Sequence, residues 1–113
     1  MTKKKGSKSF HEIIHSSKPT LVDFYATWCG PCRMMIPILK ELSSQVGNRA
    51  NIIKIDIDKN PKLTRKLNIQ GVPTIAIYKN GKVVWRRSGV QRAHQLMMAL
   101  EEFMDKEDNS TKG

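Results

Sequence analysis

Residues 21–32 read LVDFYATWCGPC, and this stretch changes character partway along. From Thr20 to Ala26 it is a continuous apolar run with β-branched and aromatic members, broken only by Asp23. Such a run, following Pro19, predicts a central strand covered on both faces. After Cys29 the period changes. Met35, Ile36, Ile38, Leu39, Leu42 and Val46 recur at helical spacing, with Gly47 as a terminator and Pro37 as a kink inside. A helix is therefore expected from Cys29, or just after it, to about Val46. The chain's two cysteines, Cys29 and Cys32, fall where a buried strand hands over to a helix.

That placement gives the pair a chemistry. A thiol at a helix start lies beside unpaired backbone N–H groups and the positive end of the helix dipole. Both favour thiolate, the nucleophilic form. The second thiol, one turn deeper, is close enough to attack a mixed disulfide. Cys29 is expected to attack a substrate disulfide, and Cys32 to resolve the adduct and leave Cys29–Cys32 oxidised. Gly30 permits a tight turn with no side chain over Cys29. Pro31 fixes φ and lacks only an N–H that had no partner there. It also adds no charge that would over-stabilise the thiolate, which suits a reductant.

Asp23 sits among Leu21, Val22, Phe24 and Tyr25. Burying its charge is costly, so desolvation raises its pKa. Six residues before Cys29, it is placed to take the proton from Cys32 as that thiol attacks. Lys54 is a second polar residue in an apolar strand and a candidate partner for Asp23. The alternative for each is an exposed edge position.

Around this centre the chain reads as one domain over residues 9–105, between a basic arm at 1–8 and a tail at 106–113. Phe10, Ile13 and Ile14 predict a short helix capped by Ser9 and ended by Pro19. NIIKIDID, residues 51–58, predicts a second strand. Asn60-Pro61 predicts a cap and first-turn proline for a helix through Leu67. TIAIYK and KVVWRR flank Asn80-Gly81, a hairpin signal. A last helix is expected over 91–105, with Leu96, Leu100, Phe103 and Met104 inward. Strands alternating with helices, plus the hairpin, predict an α/β fold with a mixed central sheet.

A net charge of +10 raises the question of polyanions. The cations are scattered, apart from the N-terminal lysines and Arg86-Arg87, while the acids gather between Glu101 and Asp108. No aromatic residues interleave with a basic stripe, so no nucleic-acid role is expected. No apolar run is long enough to span a membrane, and no membrane partner is expected. Two cysteines are too few for a disulfide-stapled domain or a zinc site built on thiolates alone. His11 and His15 stand one turn apart without a third ligand, so no metal is expected. No apolar segment follows the basic N-terminus. The chain is expected in the cytoplasm, or in the periplasm if a signal peptide has been removed.

At VDFYATWCGPC, Pro37, KIDID, GVPT, KNGK and Gly89 the chain closely resembles the thioredoxin family, over residues 9 to 105. The resemblance implies a thioredoxin fold, with the first strand short or absent because TKKKGSK is a poor strand. It implies a protein-disulfide reductase with Cys29 as the exposed nucleophile and Cys32 as the buried resolving thiol. It implies Asp23 as the buried proton acceptor with Lys54 its neighbour, and Pro73 as a cis-proline facing the disulfide. Val72 would offer backbone hydrogen bonds to an extended substrate. Trp28, Gly30, Pro31 and Gly89 would shape the docking surface. No cofactor would be bound; electrons would come from NADPH through a flavoprotein thioredoxin reductase. The partners would be that reductase and disulfide-containing proteins, met by a monomer. Two alternatives stand beside this reading: an oxidase or isomerase in an oxidising compartment, and a non-catalytic binding subunit.

Overall fold

The structure, a computed structural model, describes residues 9–105, so the N-terminal arm and the tail lie outside the described residues. The order is α1 (Phe10–Ile14), β1 (Thr20–Tyr25), α2 (Gly30–Val46), a short 3₁₀ turn (Gly47–Arg49), β2 (Asn51–Asp56), α3 (Pro61–Lys66), β3 (Thr74–Lys79), β4 (Lys82–Ser88) and α4 (Ala93–Glu101). Among the described residues the sheet has four strands in the order β2-β1-β3-β4. β1 runs parallel to β2 and antiparallel to β3, and β3 pairs antiparallel with β4. The mixed sheet and its flanking helices match the thioredoxin fold expected from the sequence. A strand before α1 would fall outside the described residues.

Alternation along β1 and β3 divides the core in two. Leu21, Ile75 and Ile77 pack with Met35, Leu39, Leu42 and Val46 of α2 and Leu96 and Leu100 of α4. Val22, Phe24, Ala76 and Tyr78 face the other way, against Ile14 of α1 and Ile69. β1 is covered on both faces, as its unbroken apolar run requires. Asp23 shares the face of Leu21, so its carboxyl is directed under α2. Met35, Leu39, Leu42 and Val46 form the inner stripe of α2, and Ile36, one position off that stripe, is 55% exposed.

Several boundaries move for identifiable reasons. α1 stops at Ile14, not at Pro19, because the hairpin tip takes its last carbonyls: Gly81 N–H donates to Ile14 O at 2.9 Å and Asn80 N–H to Ser16 O at 3.0 Å. β1 ends at Tyr25, one residue short of the buried Ala26. β2 ends at Asp56, because Asp56 Oδ1 accepts the N–H groups of Asp58 (2.9 Å) and Lys59 (3.4 Å) and turns the chain. Asn60 stands at the cap position of α3 but its side chain does not cap; Nδ2 donates to Asp56 O at 2.9 Å. α3 closes at Lys66, and the Arg86 guanidinium donates to the next two carbonyls, Leu67 O and Asn68 O, at 2.9 and 2.6 Å. α4 covers less than the expected span. Its end is a turn in which Phe103 and Met104 both donate to Leu100 O, and Lys79 Nζ holds Phe103 O at 2.7 Å. Met104 is buried as expected, and Phe103 only half-buried. α2 continues through Pro37, an exposed position whose missing N–H leaves the Arg33 carbonyl without its helical donor.

The hairpin tip uses left-handed backbone at both turn residues, with φ of 53° at Asn80 and 84° at Gly81. A Cβ at Gly81 would also collide with the His15 imidazole. Gly81→Ala is therefore expected to cost about 1–3 kcal/mol, read as a lower urea midpoint. Gly71→Ala, where nothing lies within 4 Å of the new Cβ, is expected to stay within about 0.5 kcal/mol. Equal midpoints for the two variants would show that the turn tolerates a side chain.

Candidate active site

β1 ends beneath the N-terminus of α2, and Ala26, Thr27 and Trp28 make the short link between them. Cys29 N–H closes that link on Ala26 O at 3.2 Å. Cys29 is the N-cap of α2, with extended backbone, and its Sγ accepts the Cys32 N–H at 3.1 Å. A sulfur here takes the place of the usual capping oxygen, so the first turn of the helix solvates it. Pro31 occupies the first turn, where its absent N–H leaves no gap. Cys29 and Cys32 form a disulfide with Cα atoms 5.3 Å apart.

In this disulfide the two cysteines are equally buried, each 5% exposed. The expected contrast between an open Cys29 and a covered Cys32 is therefore not one of accessible area. The contrast is one of contacts. Cys29 Sγ has the helix N–H and lies 3.7 Å from Val72 O. Cys32 lies a turn deeper, on the wall of a cavity of about 270 Å³ that Tyr25, Arg33, Ile36 and Lys54 also line.

The Val72–Pro73 peptide is cis. Gly89, with φ of 91°, donates its N–H to Pro73 O at 2.8 Å and ties the loop before α4 to this strand end. Trp28 is 67% exposed yet anchored, its Nε1 donating to Asp58 Oδ2 at 2.8 Å. Val72 thus approaches the α2 N-terminus directly, Gly89 is tied to the neighbouring Pro73, and Trp28, in the link before α2, is tied to Asp58. Gly30 and Pro31 sit exposed at the helix tip.

Asp23 is fully buried, and among the described residues neither carboxylate oxygen has a hydrogen-bond partner. Burial raises its pKa from 3.8 to about 6, and the positive charge of Lys54 offsets part of that rise. Asp23 and Lys54 are register partners on neighbouring parallel strands. Lys54 does not close an ion pair with the carboxylate. Its Nζ lies over the Tyr25 ring, 4.8 Å from the centroid. Both candidates for an exposed edge position are thus placed: Asp23 is on an inner strand, and Lys54 is exposed on β2, an outermost strand among the described residues.

Two residues at the site escaped the sequence reading. Asp58 follows the end of β2, and its reach to Trp28 spans thirty positions. Tyr25 read only as an apolar member of β1. Among the described residues no group of three or more His, Cys, Asp or Glu is arranged to hold a metal ion. The His11 and His15 rings lie tilted against each other with centroids 4.2 Å apart, and His15 Nδ1 donates to His11 O at 2.8 Å, which occupies that nitrogen. Among the described residues no helix is long and apolar enough to cross a membrane.

The family model described as Thioredoxin matches residues 1–102. A thioredoxin-like protein of Synechocystis sp. is 46% identical over 92% of this chain and 100% of its own length. Thioredoxin Y of the chloroplast of Oryza sativa is 43% identical over 91% of this chain and 62% of its own length. A solved structure of a single-residue mutant of thioredoxin from Halobacterium salinarum superposes with a TM-score of 0.79 at 32% identity, covering 89% of this chain and 88% of that one.

The buried carboxyl at Asp23 makes stability depend on pH in a definite direction. Its folded pKa, about 6, lies above 3.8, so the native state holds the proton more tightly. The contribution of this one group to stability is fully present below about pH 4 and is lost as pH rises to about 6. The difference corresponds to roughly 3 kcal/mol. Asp23→Asn is expected to lack this loss. Urea unfolding should show the stability gap moving in favour of the variant by up to roughly 3 kcal/mol between pH 4 and pH 7. A gap that does not change with pH would contradict a buried, uncompensated carboxylate.

Proposed function

The chain belongs to the thioredoxin family and is a protein-disulfide reductase, and from that premise we propose that it reduces protein disulfides through a mixed disulfide on Cys29. The observation that carries the order of attack is the Cys32 N–H donated to Cys29 Sγ at the N-terminus of α2. That donor and the helix dipole lower the energy of a thiolate at Cys29 in the reduced protein.

The Cys29 thiolate attacks one sulfur of the substrate disulfide and displaces the other as a thiolate, which takes a proton from water. The Cys32 thiol then loses its proton to the Asp23 carboxylate and attacks Cys29 Sγ. The intermolecular bond breaks, the second substrate sulfur leaves, and the Cys29–Cys32 disulfide remains. Two electrons have passed to the substrate. A carboxyl with a pKa near 6 is mostly ionised at pH 7, yet basic enough to accept the proton. Lys54 keeps that pKa from rising further. Trp28, Gly30, Pro31, Val72, Pro73 and Gly89 form the surface on which an extended substrate segment docks.

The oxidised pair must be reduced again, and we propose a flavoprotein thioredoxin reductase drawing on NADPH as the donor. Glycine and proline between the cysteines support a reductant over an oxidase or isomerase, because neither adds a charge or donor that would make the thiolate too stable. Such a reductant belongs in a reducing compartment, and the cytoplasm remains the expected one.

Insulin reduction coupled to NADPH and a thioredoxin reductase tests the whole cycle. Turbidity should appear with the wild type and vanish with Cys29→Ser; an unaltered rate for that variant would overturn the reading. Cys32→Ser should accumulate mixed disulfides on Cys29 in cell extract, and recovering none would contradict the order of attack. Asp23→Asn should slow resolution about 10-fold or more at pH 7, and less at pH 9 where Cys32 ionises unaided. Equal slowing at both pH values would remove Asp23 as the proton acceptor.

A further inference from the structure

The cavity beside Cys32 holds an unexpected pairing. Among the described residues, Lys54 is a long, flexible cation on an outermost strand, in register with a buried carboxylate that has no hydrogen-bond partner there. Its ammonium lies instead over the ring of Tyr25. Tyr25 comes two residues after Asp23, so both side chains leave β1 on the face that looks toward α2. Lys54, opposite Asp23, is the diagonal neighbour of Tyr25, within reach of a long side chain. Tyr25, Lys54 and Cys32 line the same cavity.

We propose that Tyr25 is a positioning residue for the disulfide chemistry: its ring holds the Lys54 ammonium at the cavity beside Cys32, and through Lys54 it sets how readily Asp23 takes up a proton. The proposal deepens the reading of Asp23 as proton acceptor and rests on it for its catalytic meaning. A cation over an aromatic face is attracted by the negative face of the ring, even at an exposed site. That attraction offsets part of the rotamer entropy a lysine loses when fixed. Without the ring, Lys54 spreads into solvent and its mean distance from Asp23 grows.

Other charges around Asp23 do not do this work. β3 offers Ile75 at the same register, and α4 presents Leu96 and Leu100 to this face. On β2, Asp56 lies opposite Tyr25, with Oδ1 engaged by Asp58 and Lys59 N–H groups. From α2, Arg33 reaches the cavity wall while its guanidinium donates to Thr27 O at 3.5 Å. Lys54 is the cation whose charge acts on Asp23 against the effect of burial.

The test is a ¹³C NMR titration of the Asp23 carboxyl carbon in the oxidised protein, which reads proton affinity whether or not Asp23 is catalytic. Tyr25→Phe keeps the ring and should titrate with the wild type. Tyr25→Leu keeps apolar bulk, and should move the midpoint upward by about half a pH unit. Lys54→Met should move it upward by at least as much, and Tyr25→Leu combined with Lys54→Met should titrate with Lys54→Met alone. An unmoved midpoint in Tyr25→Leu overturns the proposal. So does a shift in Tyr25→Phe, or a further shift on adding Tyr25→Leu to Lys54→Met, because the effect would then not run from the ring through the lysine. The pH dependence of resolution in Asp23→Asn is a separate measurement, so failure of the proton-acceptor reading is distinguishable from failure of this one.

Discussion

The N–H of Cys32 pointing at Cys29 Sγ is the contact on which the site depends. It exists because a helix begins just after β1 ends, and because the residue at its N-cap, Cys29, does the capping with its sulfur. Capping normally falls to an oxygen that does no chemistry. Here the capping atom is one of the two disulfide sulfurs, so the geometry that starts α2 also places a helix N–H on the redox pair. Gly30 and Pro31 suit this arrangement by what they lack, a side chain in one case and an N–H in the other.

Beneath the helix the protein accepts a cost. Asp23 lies on an inner strand with neither oxygen partnered among the described residues, and the raised pKa is the thermodynamic record of that placement. A fully paired carboxylate would favour the fold and be a poor base. A neighbouring cation, held over an aromatic ring and not in an ion pair with the carboxylate, moderates the penalty without cancelling it.

The rest of the fold is fastened by contacts between elements far apart in sequence. The hairpin tip terminates α1 by taking its carbonyls, and Arg86 of β4 satisfies the carbonyls that α3 leaves free. Asp58 steadies the exposed Trp28 indole beside the disulfide, and Gly89 ties the loop before α4 to Pro73. Most of these contacts satisfy a polar group that a helix or strand end would otherwise leave open; the Trp28–Asp58 bond instead joins two side chains.

The sequence by itself determined the elements and the chemistry. Apolar periodicity located β1 and α2, Asn80-Gly81 located the hairpin, and the spacing of Cys29 and Cys32 at a strand-to-helix junction named the reaction. Those signals are local, carried by side-chain period, turn propensity and a spacing of a few residues. The tertiary structure decided what depends on neighbours distant in the chain. It shortened α1 and β2, turned the Asn60 side chain away from its expected capping role, and buried both cysteines alike. It also brought Asp58 to Trp28 and set Lys54 on Tyr25 rather than on Asp23. Hydrogen bonds and charges choose among partners only once the chain has brought those partners together.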